Sequence, residues 1–505
     1  MSLQKKAVAN FVGGVIPAIA SLLTVPVIVS RLGTVEYGLF TLVTAIVGYF
    51  AMLDINVAAG SVKFLSEHHA RDESKQVNQV VTFGGVIYLM IGLLGGCGIF
   101  LFADLLVTRF FNVPRSLHEI ARITLQFSAI AFFFGQIQSY LISIPQALQR
   151  YDLTSKFESS FGALTSISTV IVVLLGGGLV EIVSVRLVLS IINCGLLLRL
   201  VRKILPFIRF SKPEKEIVSK VASFSAYAYL NKLAAITYTN GDNLLLGALQ
   251  DMRAVSFYSV PFLLINRAMG LIYRLGGVIF PASSAMAAKG QHEQLRRTYL
   301  TGTRYLIYLN ATLCLSLSVF SRELLHYWAG PVFGAEAAFA MVLIAMASFF
   351  DSMTNLPSLV NDGLGKPRNT GTLALTRALV GITLAYFAIK SIGFLGAAWA
   401  LAFTSAFFAT AFIIFVHGRS IPVSLKDLYW EAYHPTLVPA LALLIISAVF
   451  SHREVLPLPW FFALVAIATV LFILYAWLVI CLPVHRAPLL AFMLRYLGFG
   501  SGSKT

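Results

Sequence analysis

The chain has 505 residues, of which 58% are hydrophobic and 12% charged, with a mean hydropathy of +0.82. A soluble globular domain is about 45–50% apolar and about 25% charged, so a soluble fold is excluded, and no stretch between apolar runs is long enough for a separate soluble domain. The net charge of +16 would suit nucleic acid, but its placement along the chain excludes that partner.

Fourteen apolar runs have about the length that a bilayer-spanning helix needs: 7–30, 38–62, 79–103, 119–143, 158–178, 181–201, 223–249, 256–281, 301–325, 338–362, 370–389, 393–416, 435–451 and 459–482. The first follows Lys5 and Lys6 and contains Ala18-Ile19-Ala20, as a signal peptide with its cleavage site would. It continues through Ser30, too long for a signal sequence, and is expected to remain as the first span. With the N-terminus cytoplasmic, 26 of the 38 Lys and Arg fall on that side. Seven fall outside (Arg31, Arg109, Arg115, Arg253, Arg322, Lys390, Arg453) and five within spans (Arg122, Arg186, Lys232, Arg267, Arg274). This is the positive-inside pattern, which sets topology and brings basic loops to anionic lipid.

Several spans carry a polar stripe at helical spacing. Asn10, Pro17, Ser21 and Thr24 share a face of the first, and Asp54 lies toward the cytoplasmic end of the second. Arg122, Gln126, Gln136 and Tyr140 align in the fourth, and the basic segment RKILPFIRFSKPEKEIVSK (202–220) then links the two halves of the chain. Ser225, Lys232, Thr239 and Asn243 align in the seventh span; Asp351, Asn355, Ser358 and Asp362 align in the tenth. The eighth, FLLINRAMGLIYRLGGVIFP over 262–281, holds Arg267 and Arg274 and no acid. Seven residues are about two helical turns, so both guanidinium groups lie on one face, roughly 10 Å apart.

An arginine at the bilayer centre costs at least ~2.5 kcal/mol. Either Asp242 or Asp351 pairs with these arginines, or the counter-charge arrives with a ligand. Cations within the spans outnumber the deep acids, and an arginine fork suits phosphate oxygens. The expected substrate contacts are therefore Arg267 and Arg274, with Lys232 and Arg122 secondary.

Leu148 and Leu364 lie 216 residues apart, each followed two positions later by a basic residue, Arg150 or Lys366. Leu32-Gly33 and Leu246-Gly247 agree at an offset of 214, and the breaks GGGLVE (176–181) and SIGFLGA (391–397) fit the same register. Two halves of six spans each follow, entering the membrane with the same orientation and related by an axis along its normal, as in many transporters. The last two spans lie outside the repeat.

Cys97, Cys194, Cys314 and Cys481 are isolated in apolar runs and suggest neither a disulfide framework nor a metal site. There is no phosphate-binding G-x-x-x-x-G-K-[ST], no H-E-x-x-H and no G-x-S-x-G, so no cofactor is expected. The longest outer loop, DLLVTRFFNVPRSLHE (104–119), offers acids only at its edges. That is poor material for a membrane glycosyltransferase or ligase, the competing enzyme class.

The chain resembles the Wzx-type polysaccharide-export flippases of the multidrug/oligosaccharidyl-lipid/polysaccharide exporter superfamily. The resemblance is carried by SRLGTVEYGLF (30–40), LDINVAAGSVKFLSE (53–67), PQALQRYD (145–152), DNLLLGALQDMRAVSFYSVP (242–261), VIFPASSAM (278–286), LLHYWAGPVFG (324–334), DGLGKPRNTG (362–371) and GFLGAAWA (393–400). It implies an all-α membrane protein with a lobe at 1–205, a cytoplasmic linker at 206–222, a second lobe at 223–418, and two further spans with a tail at 419–505. It also implies export of an undecaprenyl-diphosphate-linked oligosaccharide across a bacterial cytoplasmic membrane by alternating access. The implied partners are that lipid, the surrounding membrane lipids and other membrane proteins of polysaccharide assembly. A flippase of lipid II is the alternative within the superfamily. Members are thought to be driven by a proton or cation gradient, and Asp54, Asp242 and Asp351 are the acids expected to serve it here. One departure is Asn56, where relatives often have glycine after the acid–hydrophobic pair.

Overall fold

Within hydrocarbon, only a helix or a closed barrel satisfies the backbone, and this chain takes the first solution. The computed structural model describes residues 3–276, 283, 286, 290–436 and 455–481, and no strand occurs among them. Most of the expected thirteenth span and the basic tail lie outside the described residues.

Helix α1 (Leu3–Phe50) would be roughly 70 Å long if straight, more than a bilayer can cover. It breaks at Gly33 (φ 76°, ψ 176°) into the first two spans. The second span then stops early, in a 3-10 turn over Ala51–Leu53. The chain resumes as α2 (Val57–Ala70), so the expected run over 38–62 is two pieces meeting at Asp54. Asn56 sits there in the left-handed region (φ 59°, ψ 36°), and its N–H donates to Asp54 Oδ1 at 2.9 Å. Asparagine is the residue that best replaces glycine in that conformation, so the departure at this position preserves the turn.

Next come α3 (Ser74–Leu105), α4 (His118–Ala147), α5 (Tyr151–Leu174) and α6 (Leu179–Ile204). The second half holds α7 (Lys215–Leu249), α8 (Met252–Gly276), α9 (His292–Val319), the short α10 (Ser321–Ala329) and α11 (Pro331–Glu336), α12 (Ala338–Gly363), α13 (Pro367–Ile392) and α14 (Phe394–Arg419); α15 (Leu458–Tyr475) follows. Among the described residues nine helical segments are long and apolar enough to cross a membrane. Helices α7, α8 and α9 are not among them; α7 and α8 carry Lys232, Asp242, Arg267 and Arg274.

Packing repeats between the halves. Helix α4 lies against α3 and α6, and α5 against α1; in the second half α12 lies against α9 and α14, and α13 against α7. The turn after α4 recurs after α12 bond for bond. Leu148 N–H donates to Ile144 O and Arg150 N–H to Pro145 O, as Leu364 does to Val360 O and Lys366 to Asn361 O. The left-handed residue between them is Gln149 (φ 55°) in one copy and Gly365 (φ 78°) in the other. The breaks at Gly176 (φ 87°) and Gly393 (φ 67°) also correspond. The Leu-Gly pair does not hold as expected. Gly247 stays helical and is glycine for another reason, since a side chain there would meet Leu42 Cδ1 at 2.5 Å; the chain turns after it at Gln250.

One apolar core at the Gly33 end runs across both halves, joining Leu42, Ile99 and Val173 to Val255, Ala340 and Ala398. At the opposite end it divides. Val57, Leu65, Ile144 and Leu197 form one cluster with Val221 of α7, and Tyr299, Val360, Phe412 and Val416 form another. The halves therefore share one core at one end, whereas at the other, among the described residues, they meet only through α7, which packs on α2. The joint is tight: a Cβ on Gly38 would stand 1.8 Å from Met252 O, and Ser256 Oγ donates to Thr34 O at 2.5 Å. Leu101 and Leu94 remain 74% and 68% exposed, as a lipid-facing surface requires.

The linker is not a loose tether. Asn78 Nδ2 donates to Phe207 O (3.3 Å) and its Oδ1 accepts from Arg209 N (3.0 Å). Thr82 Oγ1 accepts from Ser211 N (3.1 Å) and Gln79 Nε2 donates to Lys212 O (3.2 Å). Lys75 and Glu214 then pair at 2.9 Å. Side chains of α3 thus satisfy the backbone of an extended segment that has no strand to pair with.

Candidate functional site

Arg267 projects from α8 at the junction of two cavities. One, of about 350 Å³, lies between α1, α7 and α8 and is lined by Tyr37, Thr41, Thr44, Asn240, Asn243 and Asn266. The other, of about 510 Å³, is a cleft in the first half among α4, α5 and α6, with Gln138, Ser139, Phe157, Phe161 and Asn193 in its wall. Arg267 lines both. It is exposed and has no ion-pair partner among the described residues. Arg274 lies two turns further along α8, and its side chain is outside the described residues.

The acids that offered the alternative of pairing with these arginines have other partners. Asp351 pairs with Arg377 at 2.7 Å, a second guanidinium nitrogen lies 2.9 Å from its Oδ2, and the Tyr238 hydroxyl donates to the same oxygen at 3.1 Å. The Arg377 guanidinium also lies 5.2 Å from the centre of the Tyr238 ring and donates to Ser405 Oγ at 2.8 Å. This bidentate, stacked arrangement is specific to arginine. Asp242 accepts a hydrogen bond from the Tyr258 hydroxyl and has no ion-pair partner among the described residues. It lines a cavity of about 290 Å³ in the second half together with Tyr238, Arg377 and Thr404.

Lys232 is committed as well. Its ammonium pairs with Asp54, which is 3% exposed, and the adjacent turn of α7 sends the Tyr229 hydroxyl to Met52 O at 2.7 Å. These contacts tie the broken second span to the middle of α7. A diphosphate could reach Lys232 only by competing with a buried carboxylate. Arg122 is exposed in the second turn of α4, where its long stem can carry the charge to the interface, and it lines none of the cavities that Arg267 reaches.

Two expectations need correction. The count of charges within spans omits Arg377, which lies inside the run 370–389 but close enough to its basic end to pass for a cytoplasmic residue, as it omits Arg199, Arg304 and Arg322 near the ends of theirs. And the stripe on α4 marks the wrong face. Tyr140 is buried, stacked on Tyr88 at 5.2 Å, and donates to Val80 O and Val81 O. It fills the space over Gly84, whose Cβ would lie 2.3 Å from its ring. Gln136 is likewise buried, and the cavity face of α4 is instead Gly135, Gln138, Ser139 and Ile142. Periodicity finds a stripe but cannot say whether packing or solvent lies beyond it. The cleft residues on α5 had a signal, the hydroxyl density of TSKFESSFGALTSIST (154–169), unusual for a span.

A family model described as "Polysaccharide biosynthesis protein" matches residues 3–287, more than half of the chain. The chain is 20% identical over 406 residues to a putative O-antigen transporter of Shigella flexneri, covering 79% of this chain and 94% of that protein. It superposes on the lipid II flippase MurJ in an inward closed conformation with TM-score 0.69 and 13% identity, covering 97% of this chain and 99% of that one. It superposes on an inward-facing multidrug resistance MATE family transporter of the MOP superfamily with TM-score 0.66 and 14% identity, covering 83% and 95%. With its repeated helix packing and its cavities at the junction of the halves, this chain has the helical architecture of those transporters and belongs to the polysaccharide biosynthesis protein family.

Proposed function

We propose that this protein is a transporter rather than an enzyme, and that it flips a polyprenyl-diphosphate-linked oligosaccharide from the cytoplasmic to the outer leaflet of a bacterial inner membrane. The observation that carries this reading is Arg267: an uncompensated guanidinium at the meeting point of two cavities, while Asp351, Asp54 and Lys232 are already paired. The missing counter-charge is the substrate's diphosphate, held by Arg267 with Arg274 two turns away. The sugars travel through the wet interior and the polyprenyl tail stays in lipid.

With both termini cytoplasmic, the joined end of the bundle faces outward and the divided end inward, so substrate enters from the cytoplasmic leaflet. Transport requires the seal around Gly38 to open and the divided end to close. Asp242 is the acid best suited to gradient coupling, because a carboxylate whose partner is a neutral tyrosine can exchange a proton without stranding a cation. The kinship to an O-antigen transporter supports an oligosaccharide head group.

The test is flipping of fluorescent polyprenyl-diphosphate oligosaccharide in proteoliposomes, with wild type against Arg267→Ala and Arg267→Lys. Loss in the alanine variant with partial recovery in the lysine variant is expected, since lysine keeps the charge but not the fork. Normal transport by both would remove Arg267 from the substrate site, and transport of lipid II alone would reassign the head group.

A further inference from the structure

The cleft among α4, α5 and α6 has no role in the reading above beyond its contact with Arg267, yet its lining is specialised. Gln138 Nε2 donates to Ser190 O at 2.9 Å and to Ser190 Oγ at 2.6 Å, and its Oε1 accepts from Asn193 Nδ2 at 2.7 Å. Both amides are thereby fixed in orientation, and Asn193 Oδ1 is left without a hydrogen-bond partner among the described residues. On α5 the Thr165 hydroxyl donates to Phe161 O at 2.7 Å and the Ser166 hydroxyl to Gly162 O at 3.0 Å. Their protons are spent, and what they offer the cleft is lone pairs. Phe157 and Phe161 stack with centroids 6.2 Å apart at 12°, the same pair that lines the wall.

An acceptor-rich wall is unsuited to an anion, which needs donors. It suits a neutral polyol, whose hydroxyls donate and whose C–H faces lie against the electron-rich faces of aromatic rings. The volume, about 510 Å³, falls in the range of small-molecule sites, about 300–1,000 Å³. We infer that this cleft is a sugar subsite: with the diphosphate on Arg267, the neutral sugar attached directly to it lies against Asn193, Ser139, Thr165 and Phe161. The assignment rests on the flippase reading and assigns to one half of the molecule the recognition of the head group.

The test is binding by the full-length protein in nanodiscs of a short polyprenyl diphosphate, bare or carrying one glucose, galactose or N-acetylglucosamine. Wild type should bind at least one glycosylated lipid more tightly than the bare one. Asn193→Ala should weaken that lipid by about tenfold, the usual effect of one lost polar contact in a closed site, and leave the bare lipid unchanged. Ser139→Trp, which fills the cleft from an exposed position on α4 without touching the amide network, should remove the preference for sugar altogether. Arg267→Ala should weaken both kinds of lipid. If wild type binds bare and glycosylated lipids equally, or if Asn193→Ala and Ser139→Trp weaken both alike, the sugar subsite is wrong while the flippase reading stands. If wild type binds none of the four, both fall.

Discussion

Between α4, α5 and α6 the first half of the bundle encloses amides, hydroxyls and two phenylalanines, whereas the interior of the second half encloses Asp242, Arg377 and Tyr238, with Asp351 bound to that arginine. The helix packing is common to both halves, down to the hydrogen bonds of the turns at Leu148 and Leu364. What differs is the lining of the two cavities: apart from Glu158 and Arg267 the first offers neutral groups, and the second offers Asp242 and the Arg377 that pairs with Asp351. A neutral lining can exchange partners with an incoming polyol cheaply, because each hydrogen bond is modest in net terms. A charged lining cannot, because every unpaired ion in the interior is costly. One helix packing, used twice, thus encloses two differently lined cavities.

The comparison breaks most visibly at Asp351. Asp351→Asn strands the Arg377 guanidinium, and loss of one partner of a buried pair typically costs about 3–5 kcal/mol; thermal unfolding of the purified protein should show a large drop. The double variant Asp351→Leu/Arg377→Met should recover most of it. Asn193→Ala removes one neutral hydrogen bond, to Gln138 Oε1, and should lower the unfolding temperature by much less, in line with a cost of about 1–3 kcal/mol.

Next in size is Asp242→Asn. If the second half couples transport to a gradient, flipping in proteoliposomes should proceed downhill as before but no longer accelerate when a pH gradient is imposed. Unaltered acceleration would move coupling to Asp54 or Asp351. Gly38→Ala acts on the joint between the halves. Its methyl group cannot coexist with Met252 O at 1.8 Å, so cross-linking of a Thr34→Cys/Ser256→Cys pair should fall several-fold in its presence; unchanged cross-linking would show that the joint absorbs the methyl group without opening.

The smallest effect belongs to the linker. Hydrogen bonds from Lys75 and then Gln79 hold the Glu214 carboxyl below its ordinary value of 4.5. A carboxylate with a depressed pKa contributes stability that is present at neutral pH and is lost as pH falls through the folded-state value. Proteolysis at 206–214 should therefore increase slightly on acidification below pH 4.5, and Glu214→Gln should remove that dependence.

Much of the architecture was legible because hydrocarbon leaves the chain few alternatives. Apolar runs of spanning length become helices, glycine marks the breaks, and Leu148 and Leu364 marked the repeat because the turn they begin must satisfy the same carbonyls twice. Arg267 was legible for the same reason, since a charge in an apolar run announces a polar surrounding. Arg377 was not, because its depth depends on where a span begins, and a basic residue near a boundary resembles one that fixes topology. The Gln138–Asn193 pair had no sequence signal. Neutral amides are ordinary in spans, and only the crossing of α4 and α6 brings these two together. Tyr140 misled because an aromatic with a hydroxyl serves equally as cavity wall or as filler, and the residue that decides between them, Gly84, lies on another helix.

The joint at Gly38 and Met252 is made of main chain. It has no proton to release and no ion to shed, so nothing in the contact itself responds to pH or ionic strength. The Asp54–Lys232 contact, by contrast, is an ion pair between the halves. A molecule built this way separates the door from the lock. The door is a fit of shapes, insensitive to the chemistry of its surroundings, and selection can change what drives transport, or what is carried, without recutting it.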